Sequence, residues 1–292
     1  MSEWCIGVIG GSGLYSLAEL EDARAVVVQT PWGPPSDEIR VGRIAGKRFA
    51  FLPRHGRAHQ TAPGHLNYCA NVDALKRVGA TDILAISAVG SLREELAPGD
   101  FVAVDQFIDR TRGRVSSFFG EGIVVHVSMA DPVCPRLSQL AAIAAEQAGA
   151  KVQRNATYLA MEGPQFSTRA ESRLYRQWGC DVIGMTAMPE ARLAREAELP
   201  YALVGMVTDY DCWREDCAEV EVADVLAVLK DNAARAARML VALAAALPDK
   251  RPASPIDTGL DLAIVTPREA RDPEAMAKLD VVCRRVLRAG PR

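Results

Sequence analysis

The sequence predicts an α/β fold, a three-layer α/β/α sandwich with a mixed central sheet. Short apolar runs alternate along the chain with longer stretches whose apolar residues recur at helical spacing. The chain has 292 residues, 49% of them apolar, which suffices for a large core. No internal repeat interrupts this alternation, so one layered domain is favoured over a solenoid.

The first half of the chain is predicted to hold four strands and one helix before residue 100. Residues 5–9 form a short buried strand that ends in glycines, and residues 38–43 and 48–52 form a hairpin around Ala45 and Gly46. Residues 67–78 show helical spacing and stop at Gly79, a typical helix end. Residues 82–87 form the next strand, and residues 101–105 another beyond it.

The second half continues the alternation of helices and strands. Helices are predicted over residues 137–148, 169–178, 189–198 and 222–247. Strands are predicted over residues 158–161, 181–183 and 201–207. Strands separated by helices favour a parallel or mixed sheet with helices on both faces.

The chain divides at residue 247 into a main domain, 1–247, and a terminal segment, 248–292. A Pro-rich linker over 248–259 precedes a predicted helix over 272–289, with Asp272 as N-cap and Pro273 in the first turn. The apolar residues of this helix form one stripe, which must be buried. Packing on its own domain is the default, and the alternative hypothesis is a lid or a subunit-contact element.

Composition excludes several classes of function. A net charge of −3 gives no general attraction to nucleic acid or to acidic membranes. No apolar run reaches the roughly 18 residues of a membrane span, and the first four residues lack signal-peptide features, so we expect a cytoplasmic protein. Seven scattered cysteines without a Cys-x-x-Cys pair indicate reduced thiols.

A glycine-rich loop, GVIGGSG at residues 7–13, follows the first strand. These glycines are the only feature that suggests a dinucleotide-dependent oxidoreductase. Their spacing does not match the dinucleotide-binding fingerprint, which counts against that class. The bare amides and the Ser12 hydroxyl could hold an anion, although a simple tight turn is the other interpretation.

The segment RHGRAH, residues 54–59, follows the second hairpin strand and is a candidate phosphate site. Arg54 offers a planar fork for phosphate oxygens, and His55 beside it adds a polar nitrogen. Three of the four histidines of the chain lie within residues 55–65: His55, His59 and His65. Zinc binding would need a carboxylate from elsewhere, so phosphate is preferred.

Further polar residues follow the ends of other strands. Ser87 ends one strand, Thr186 follows another, and Asp209 and Asp211 in TDYDCW follow a third. If the chain stays extended there, the two carboxylates share a face. Ligands of open α/β sheets bind outside the carboxyl ends of strands, so we expect these groups to converge on one site.

The ordered motifs GVIGGSGL, RHGR-H, GSLREE--PGD, DQFIDRT, MEGP-FSTRAES, GMT--PE--LARE and TDYDCW resemble the trimer-forming branch of the purine nucleoside phosphorylase family, in particular its members that cleave S-methyl-5'-thioadenosine. The resemblance runs from about Ile6 to Leu247. It implies a phosphorylase-type fold and metal-free, cofactor-free phosphorolysis: inorganic phosphate, as co-substrate, attacks C1' of the nucleoside, and adenine leaves. It also implies a homotrimer or a dimer of trimers.

The resemblance assigns the site residues in groups. Phosphate contacts are implied for Ser12, Arg54, His55, Ser87, the Ala88 backbone and Thr186. The Met185 backbone would meet the ribose hydroxyls, and Phe166, Ser167, Asp209 and Asp211 would surround the base. The 5'-methylthio group would be covered by Val222, Val225 and Leu226, and by His126 from an adjacent subunit.

Asp209 has the chemistry that loss of a purine requires. A leaving purine is neutralised by protonation at N7, which calls for a carboxyl group whose pKa is raised, and burial and the neighbouring Asp211 would both raise it. Relatives that cleave 6-oxopurines have Asn at this position, so Asp209 favours 6-aminopurines over methylthioinosine or inosine. An apolar cover would favour methylthio over hydroxyl at the 5' position, while 5'-deoxyadenosine, and adenosine more weakly, would also react.

Overall fold

The computed structural model describes residues 3–11, 17–214 and 222–288, and for residues 222–227 and 288 the backbone only. In these ranges the chain forms nine strands: β1 Cys5–Gly10, β2 Glu21–Val26, β3 Ile39–Ile44, β4 Lys47–Pro53, β5 Asp82–Ser91, β6 Phe101–Asp109, β7 Val152–Ala160, β8 Val182–Gly184 and β9 Tyr201–Asp209. The same ranges hold seven α-helices: α1 Tyr68–Arg77, α2 Pro135–Gln147, α3 Arg169–Gln177, α4 Ala187–Glu196, α5 Val222–Ala246, α6 Pro273–Lys278 and α7 Arg284–Arg288.

The strands form one mixed sheet in the order β2-β3-β4-β1-β5-β8-β7-β6-β9. Strand β5 is parallel to β1 and to β9 and antiparallel to β8. Because β9 also pairs with β6, the strands β5, β8, β7, β6 and β9 close into a ring. The sheet therefore branches at β5, and the ends of several strands meet around it.

Helices cover both faces of the sheet, as the three-layer prediction requires. Successive residues of β1 alternate between two hydrophobic clusters, with Ile6 and Val8 on one face and Ile9 on the other. The first face packs against α2 and α5, and the second packs against α1 and α4. The predicted mixed α/β architecture is confirmed.

Helix α5 shows how sequence spacing places a helix on the sheet. Its fully buried residues recur at intervals of three and four: Ala236, Met239, Leu240, Leu243 and Ala244. This stripe faces β9 and α2, and the remaining positions of its described part carry more polar or exposed residues. Among the described residues, none of the helices is both long and apolar enough to cross a membrane.

The predicted elements are present, and most differ from the observed ones only at their ends. The hairpin is confirmed, with Ala45 and Gly46 at positive φ in the turn between β3 and β4. Strand β2 was not predicted because its sequence, EDARAV, is almost entirely exposed and shows no apolar alternation. Strands β6 and β7 each extend several residues beyond the prediction, through irregular pairing that breaks the apolar pattern.

The terminal segment packs on its own chain. Leu260, Leu279 and Val282 are buried in the cluster that also holds α1 and α4. The Glu198 carboxylate accepts hydrogen bonds from the Leu260 amide at 2.9 Å and from Arg285 Nε at 2.9 Å.

The prediction of one continuous helix over residues 272–289 is wrong. Asp272 caps α6 as expected, with its carboxylate accepting from the amides of Glu274 and Ala275. The helix then breaks, because residues Leu279 and Val281 to Cys283 are all buried and a single helical stripe cannot bury such a run. The Val282 carbonyl accepts a hydrogen bond from Lys76 Nζ at 3.1 Å, and α7 begins after it.

Candidate active site

The candidate site lies where β1, β4, β5, β8 and β9 end around the branch in the sheet. Ala88 lies in β5, which has neighbouring strands on both sides, yet it is exposed. An exposed residue in a central strand indicates an opening in the layers above it, since helices otherwise cover both faces. Three of the polar residues predicted from the sequence lie on or beside this strand: Ser87 precedes Ala88, Arg54 donates to the Ile86 carbonyl, and Asp209 lies opposite Gly90.

Arg54 lies directly after β4 and is held by a buried acid. Its Nε donates to Glu190 Oε2 at 2.9 Å and its Nη2 to Glu190 Oε1 at 3.1 Å, in a fork-shaped pair. The side chains are 2% and 1% exposed. Tyr201 donates its hydroxyl to Glu190 Oε1 at 3.0 Å, so both partners are fixed.

Two backbone carbonyls complete the surroundings of Arg54. The carbonyls of Ile9 and Ile86 accept from its Nη2 and Nη1 at 3.2 and 3.3 Å. These carbonyls belong to β1 and to β5, the strand that carries Ser87 and Ala88. The guanidinium is therefore oriented at the strand ends before any ligand arrives.

His55 is neutral at physiological pH in this structure. Burial, with the charge of Arg54 and the neighbouring His59 adding to it, lowers the pKa of His55 to about 4. The Nδ1 atom lies 2.8 Å from the carbonyl oxygen of Thr61. Because a carbonyl can only accept, the hydrogen of the neutral ring is on Nδ1 and the lone pair is on Nε2.

Ser87 and Thr186 join across the branch in the sheet. Their hydroxyl oxygens lie 3.0 Å apart, and both side chains are buried. The Thr186 amide approaches the hydroxyl of Tyr158 at 3.4 Å. The structure therefore brings together two of the predicted phosphate-binding hydroxyls, next to the exposed Ala88.

Asp209 ends β9 opposite Gly90 of β5. Its Oδ2 accepts from the Thr208 hydroxyl at 2.7 Å, and its Oδ1 accepts from the amide of Asp211 at 2.8 Å. Burial raises the pKa of Asp209, and these two hydrogen bonds oppose the rise. The raised pKa agrees with the expectation, although its cause is burial and not the charge of Asp211.

Asp211 differs from the extended geometry expected for this stretch. The strand ends at Asp209, and Asp211 has φ of +50° and begins a short 3₁₀ turn, Asp211–Trp213. Burial raises the pKa of Asp211, and the Asp209 carboxylate raises it further. Its Oδ2 is buried without a hydrogen-bond partner among the described residues, which adds to the desolvation cost of the charged form of this carboxyl group.

Gly90 allows β5 and β9 to approach closely at the carboxylates, and a side chain there would require its neighbours to shift. A Cβ atom at this position would lie 3.0 Å from Asp209 Oδ1, 3.1 Å from Ile183 Cγ2 and 3.5 Å from Asp211 Cβ. The close approach of the backbone at Gly90 allows the Asp209 carboxyl to face the end of the sheet.

The predicted base-side segment lies beside the carboxylates. The Ser167 carbonyl accepts from Cys212 Sγ at 3.1 Å, which joins the MEGPQFS segment to the turn after β9. Ser167 is buried, whereas Phe166 is 59% exposed. Gly163 has a positive φ, and a Cβ there would lie 2.4 Å from Met185 Sδ, so this segment packs directly on Met185.

Several predicted residues are not brought to this site by the described structure. Ser12 lies outside the described residues, and so do the side chains of Val222, Val225 and Leu226, whose backbone belongs to α5. The side chain of His126 is exposed, and its amide donates to the Ala263 carbonyl at 2.9 Å. In the part of the chain that the structure describes, no three His, Cys, Asp or Glu residues are grouped to hold a metal ion.

Two buried charged residues beside the site were missed by sequence reasoning. Glu190 lies in the GMTAMPE motif, and Arg114 follows DQFIDRT after one intervening pair of residues. A charged residue on a helix or loop usually indicates a solvated face. Only the observation that each lies within or next to a motif of the site would have marked them.

Comparison with known proteins identifies the family. Residues 5–245 match the phosphorylase superfamily. An S-methyl-5'-thioadenosine phosphorylase of Cereibacter sphaeroides is 57% identical over 285 residues, 97% of this chain and 98% of its own. The enzyme of the same name from Bradyrhizobium diazoefficiens is 53% identical over 290 residues, 99% of this chain and 100% of its own.

Solved structures agree with these sequence matches. A methylthioadenosine phosphorylase from an antarctic soil metagenomic library superposes with a TM-score of 0.92 at 45% identity, covering 97% of this chain and 99% of its own. A methylthioadenosine phosphorylase from Schistosoma mansoni in complex with adenine has a TM-score of 0.79 at 37% identity, covering 83% and 91%. An alignment of 285 residues must pass Leu247, so the expectation that the similarity ends there is wrong.

Proposed function

The chain belongs to the phosphorylase superfamily, and from this premise we propose that it catalyses the phosphorolysis of S-methyl-5'-thioadenosine to adenine and 5-methylthioribose 1-phosphate. The observation that carries the proposal is the placement of a buried carboxyl group, Asp209 at the end of β9, near the hydroxyl pair formed by Ser87 of the adjacent strand β5 and Thr186 at the start of α4. Relatives that share half or more of the sequence carry this activity in their names.

The spacing along β5 suits a nucleoside and a phosphate. Gly90, which faces Asp209, lies three residues from Ser87, about 10 Å at 3.3 Å per residue. We place phosphate at Ser87, the Ala88 backbone, Thr186, Arg54 and His55, with Ser12 completing the site. The sugar then lies over the strand at Met185, and the base reaches the carboxylates.

The reaction needs an oriented nucleophile and a neutralised leaving group. A phosphate oxygen forms the bond to C1' while the bond from C1' to N9 breaks, and the electron pair passes into the purine. Asp209, whose pKa is raised by burial, delivers its proton to N7 from its protonated form, and its other oxygen accepts from the 6-amino group. Asp211 lies beside it, and its amide holds Oδ1 of Asp209 at 2.8 Å.

His55 acts as an acceptor toward phosphate. With its hydrogen on Nδ1 and directed at Thr61, the neutral ring presents a lone pair on Nε2. The protonated oxygen of monohydrogen phosphate donates to this atom, so an unprotonated oxygen is left to attack C1'. The hydrogen bond from phosphate to His55 therefore selects which oxygen is the nucleophile.

The remaining parts of the proposal concern the 5' end and the assembly. Val222, Val225 and Leu226 form the cover of the methylthio group, and Phe166 and Ser167 flank the base. His126, exposed on its own chain, reaches the pocket of a neighbouring subunit in a homotrimer or a dimer of trimers. No cofactor beyond phosphate takes part.

The test is adenine release from methylthioadenosine with and without phosphate, run beside adenosine, 5'-deoxyadenosine and methylthioinosine. We expect phosphate-dependent release, fastest with methylthioadenosine and slowest with the 6-oxo substrate. Adenine release whose rate does not depend on phosphate contradicts the proposal, and so does a preference for methylthioinosine. Sedimentation of the active protein as a monomer contradicts the shared pocket and leaves the reaction intact.

A further inference from the structure

We propose that Arg114 is a positioning residue that aligns the Met185–Thr186 peptide for the sugar of the nucleoside. Arg114 lies on the loop between β6 and α2, where Gly113 and Val115 on either side of it are exposed. Its own side chain is 2% exposed. A loop residue buried among exposed neighbours is directed at something inside the molecule.

The guanidinium of Arg114 contacts three separate segments of the site. Its Nε donates to Glu162 Oε2 at 3.0 Å and its Nη2 to the Glu162 carbonyl at 2.8 Å. Its Nη1 donates to the carbonyl of Met185 at 2.7 Å and to that of Met188 at 2.8 Å. The Tyr68 hydroxyl lies 2.9 Å from the same Nη1 atom.

The contact with Met185 has a direct consequence for the reaction. The Met185 carbonyl and the Thr186 amide belong to one planar peptide unit, so fixing the oxygen fixes the orientation of the amide and of the residues on both sides. Thr186 in turn meets Ser87 across the phosphate position. Arg114 thus sets the angle between the sugar-binding backbone and the oxyanion site without touching the substrate.

The surrounding backbone explains why such a brace is needed. Met188 has non-helical angles, φ −115° and ψ 135°, at the start of α4, so its carbonyl is not aligned as in a regular first turn. Arg114 supplies the donor for that carbonyl and for the Met185 carbonyl together. Lysine offers a single charged centre in place of a planar fork and cannot satisfy both carbonyls and Glu162 in the same geometry.

The inference rests on the proposed phosphorolysis, because it concerns the sugar of that substrate. Its test compares methylthioadenosine with its 2'-deoxy analogue in the wild type and in the Arg114→Lys and Arg114→Met variants. Loss of alignment should lower kcat/KM for the ribose substrate by about 10- to 100-fold, since a displacement of about 1 Å costs up to this much. With the 2'-deoxy analogue, kcat/KM should fall by less than about 3-fold from the wild type to the variants, because this analogue lacks one of the hydroxyls that the aligned backbone binds.

Arg251→Lys is the matched control. Arg251 is also a buried arginine, 5% exposed, and it joins Asp82 to Asp257. Asp82 begins β5, five residues before Ser87, so this pair is about 16 Å from the site along the strand. The control substitution should lower Tm and leave unchanged the ratio of kcat/KM for methylthioadenosine to kcat/KM for its 2'-deoxy analogue. Glu162→Gln, which keeps the size of the side chain, should shift the ratio in the same direction as the Arg114 variants.

The possible results separate the inference from the proposed function. A lower Tm with an unchanged ratio in both the Arg114 and the Glu162 variants overturns the positioning role and makes Arg114 a structural residue. If the Arg114 variants do not fold, the ratio measured with Glu162→Gln decides. A wild-type protein that releases no adenine in the presence of phosphate overturns the proposed function instead, and the inference with it.

Discussion

Asp209→Asn is the substitution that tests the chemistry of the site most directly. The structure indicates that asparagine fits without rearrangement. Its oxygen can accept from the Asp211 amide, now 2.8 Å from Oδ1, and its nitrogen can donate to the Thr208 oxygen, now 2.7 Å from Oδ2. The Thr208 hydroxyl already lies 3.3 Å from the Val89 carbonyl and can direct its hydrogen there. We therefore expect the free energy of unfolding to change by less than about 1 kcal/mol.

The kinetic effect should be large, because an amide has no proton to give to N7. General acid catalysis contributes about 10²- to 10⁴-fold, equivalent to about 3–5 kcal/mol of transition-state stabilisation at 1.36 kcal/mol per tenfold. We expect kcat/KM for methylthioadenosine to fall by that factor. The rate with methylthioinosine should hold or rise, since the amide can donate to O6.

The pH dependence supplies a second criterion. Because the proposed acid, Asp209, must be protonated to act, and its pKa is raised by burial, wild-type activity should decline as pH rises through that pKa. The decline should be absent in Asp209→Asn, while Asp211→Asn should retain it and lose less activity. Stopped assays of adenine and hypoxanthine release between pH 5 and 9 measure both effects. Wild-type kinetics in Asp209→Asn would refute the assignment of this residue as the acid.

Three further predictions concern packing and protonation. Leu279→Ala should cost about 2–5 kcal/mol in urea unfolding, whereas Leu262→Ala, at a residue 99% exposed, should cost less than about 0.5; equal effects contradict the packing of the tail on its own chain. Burial raises the pKa of Glu196 from 4.5 to about 7, so its contribution to stability falls as pH rises through this window. In Glu196→Gln, the free energy of unfolding should no longer fall with pH, so that between pH 4.5 and 8 its difference from the wild-type value should rise by up to about 3 kcal/mol in urea titrations. Parallel plots of unfolding free energy against pH for the two proteins contradict this prediction. Gly90→Ala should lower kcat/KM at least tenfold, with the fold retained by circular dichroism, because its Cβ meets the carboxyl group of Asp209, the proposed acid. Full activity contradicts the close approach.

The fold could be predicted as far as local patterns reach. The hairpin at Ala45 and Gly46 and the cap at Asp272 follow from turn and capping chemistry, which depends on a few adjacent residues. The ring of strands could not be predicted, because the pairing of β9 with both β5 and β6 joins residues about a hundred positions apart. The prediction of one continuous helix over residues 272–289 is wrong for the same reason, since contacts with Lys76 and with the core determine where the first helix ends.

The site divides in a similar way. Ser87, Thr186 and Asp209 could be predicted because polar residues that follow buried strands have few structural reasons to be there. Glu190 could not, because its partner Arg54 is 136 positions away and a glutamate on a helix usually faces water. The prediction of extended geometry at Asp211 is wrong for a physical reason, because the chain turns where the Asp211 amide donates to the Asp209 carboxylate.

The pairing of Arg54 with Glu190 has a consequence for how phosphate is used. An unpaired arginine would bind the phosphate dianion tightly, yet phosphate loses negative charge as it attacks C1', so such binding would stabilise the ground state more than the transition state. A paired arginine, whose partner Glu190 is held by the Tyr201 hydroxyl, presents less excess charge to phosphate in the proposed site. Glu190→Gln should therefore lower the KM for phosphate and lower kcat, and phosphate should raise its Tm more than that of the wild type, because the ligand then neutralises a buried charge. Steady-state kinetics and thermal shifts at graded phosphate concentrations measure these changes. A variant with a raised KM for phosphate and an unchanged thermal shift would mean that Glu190 only supports the fold.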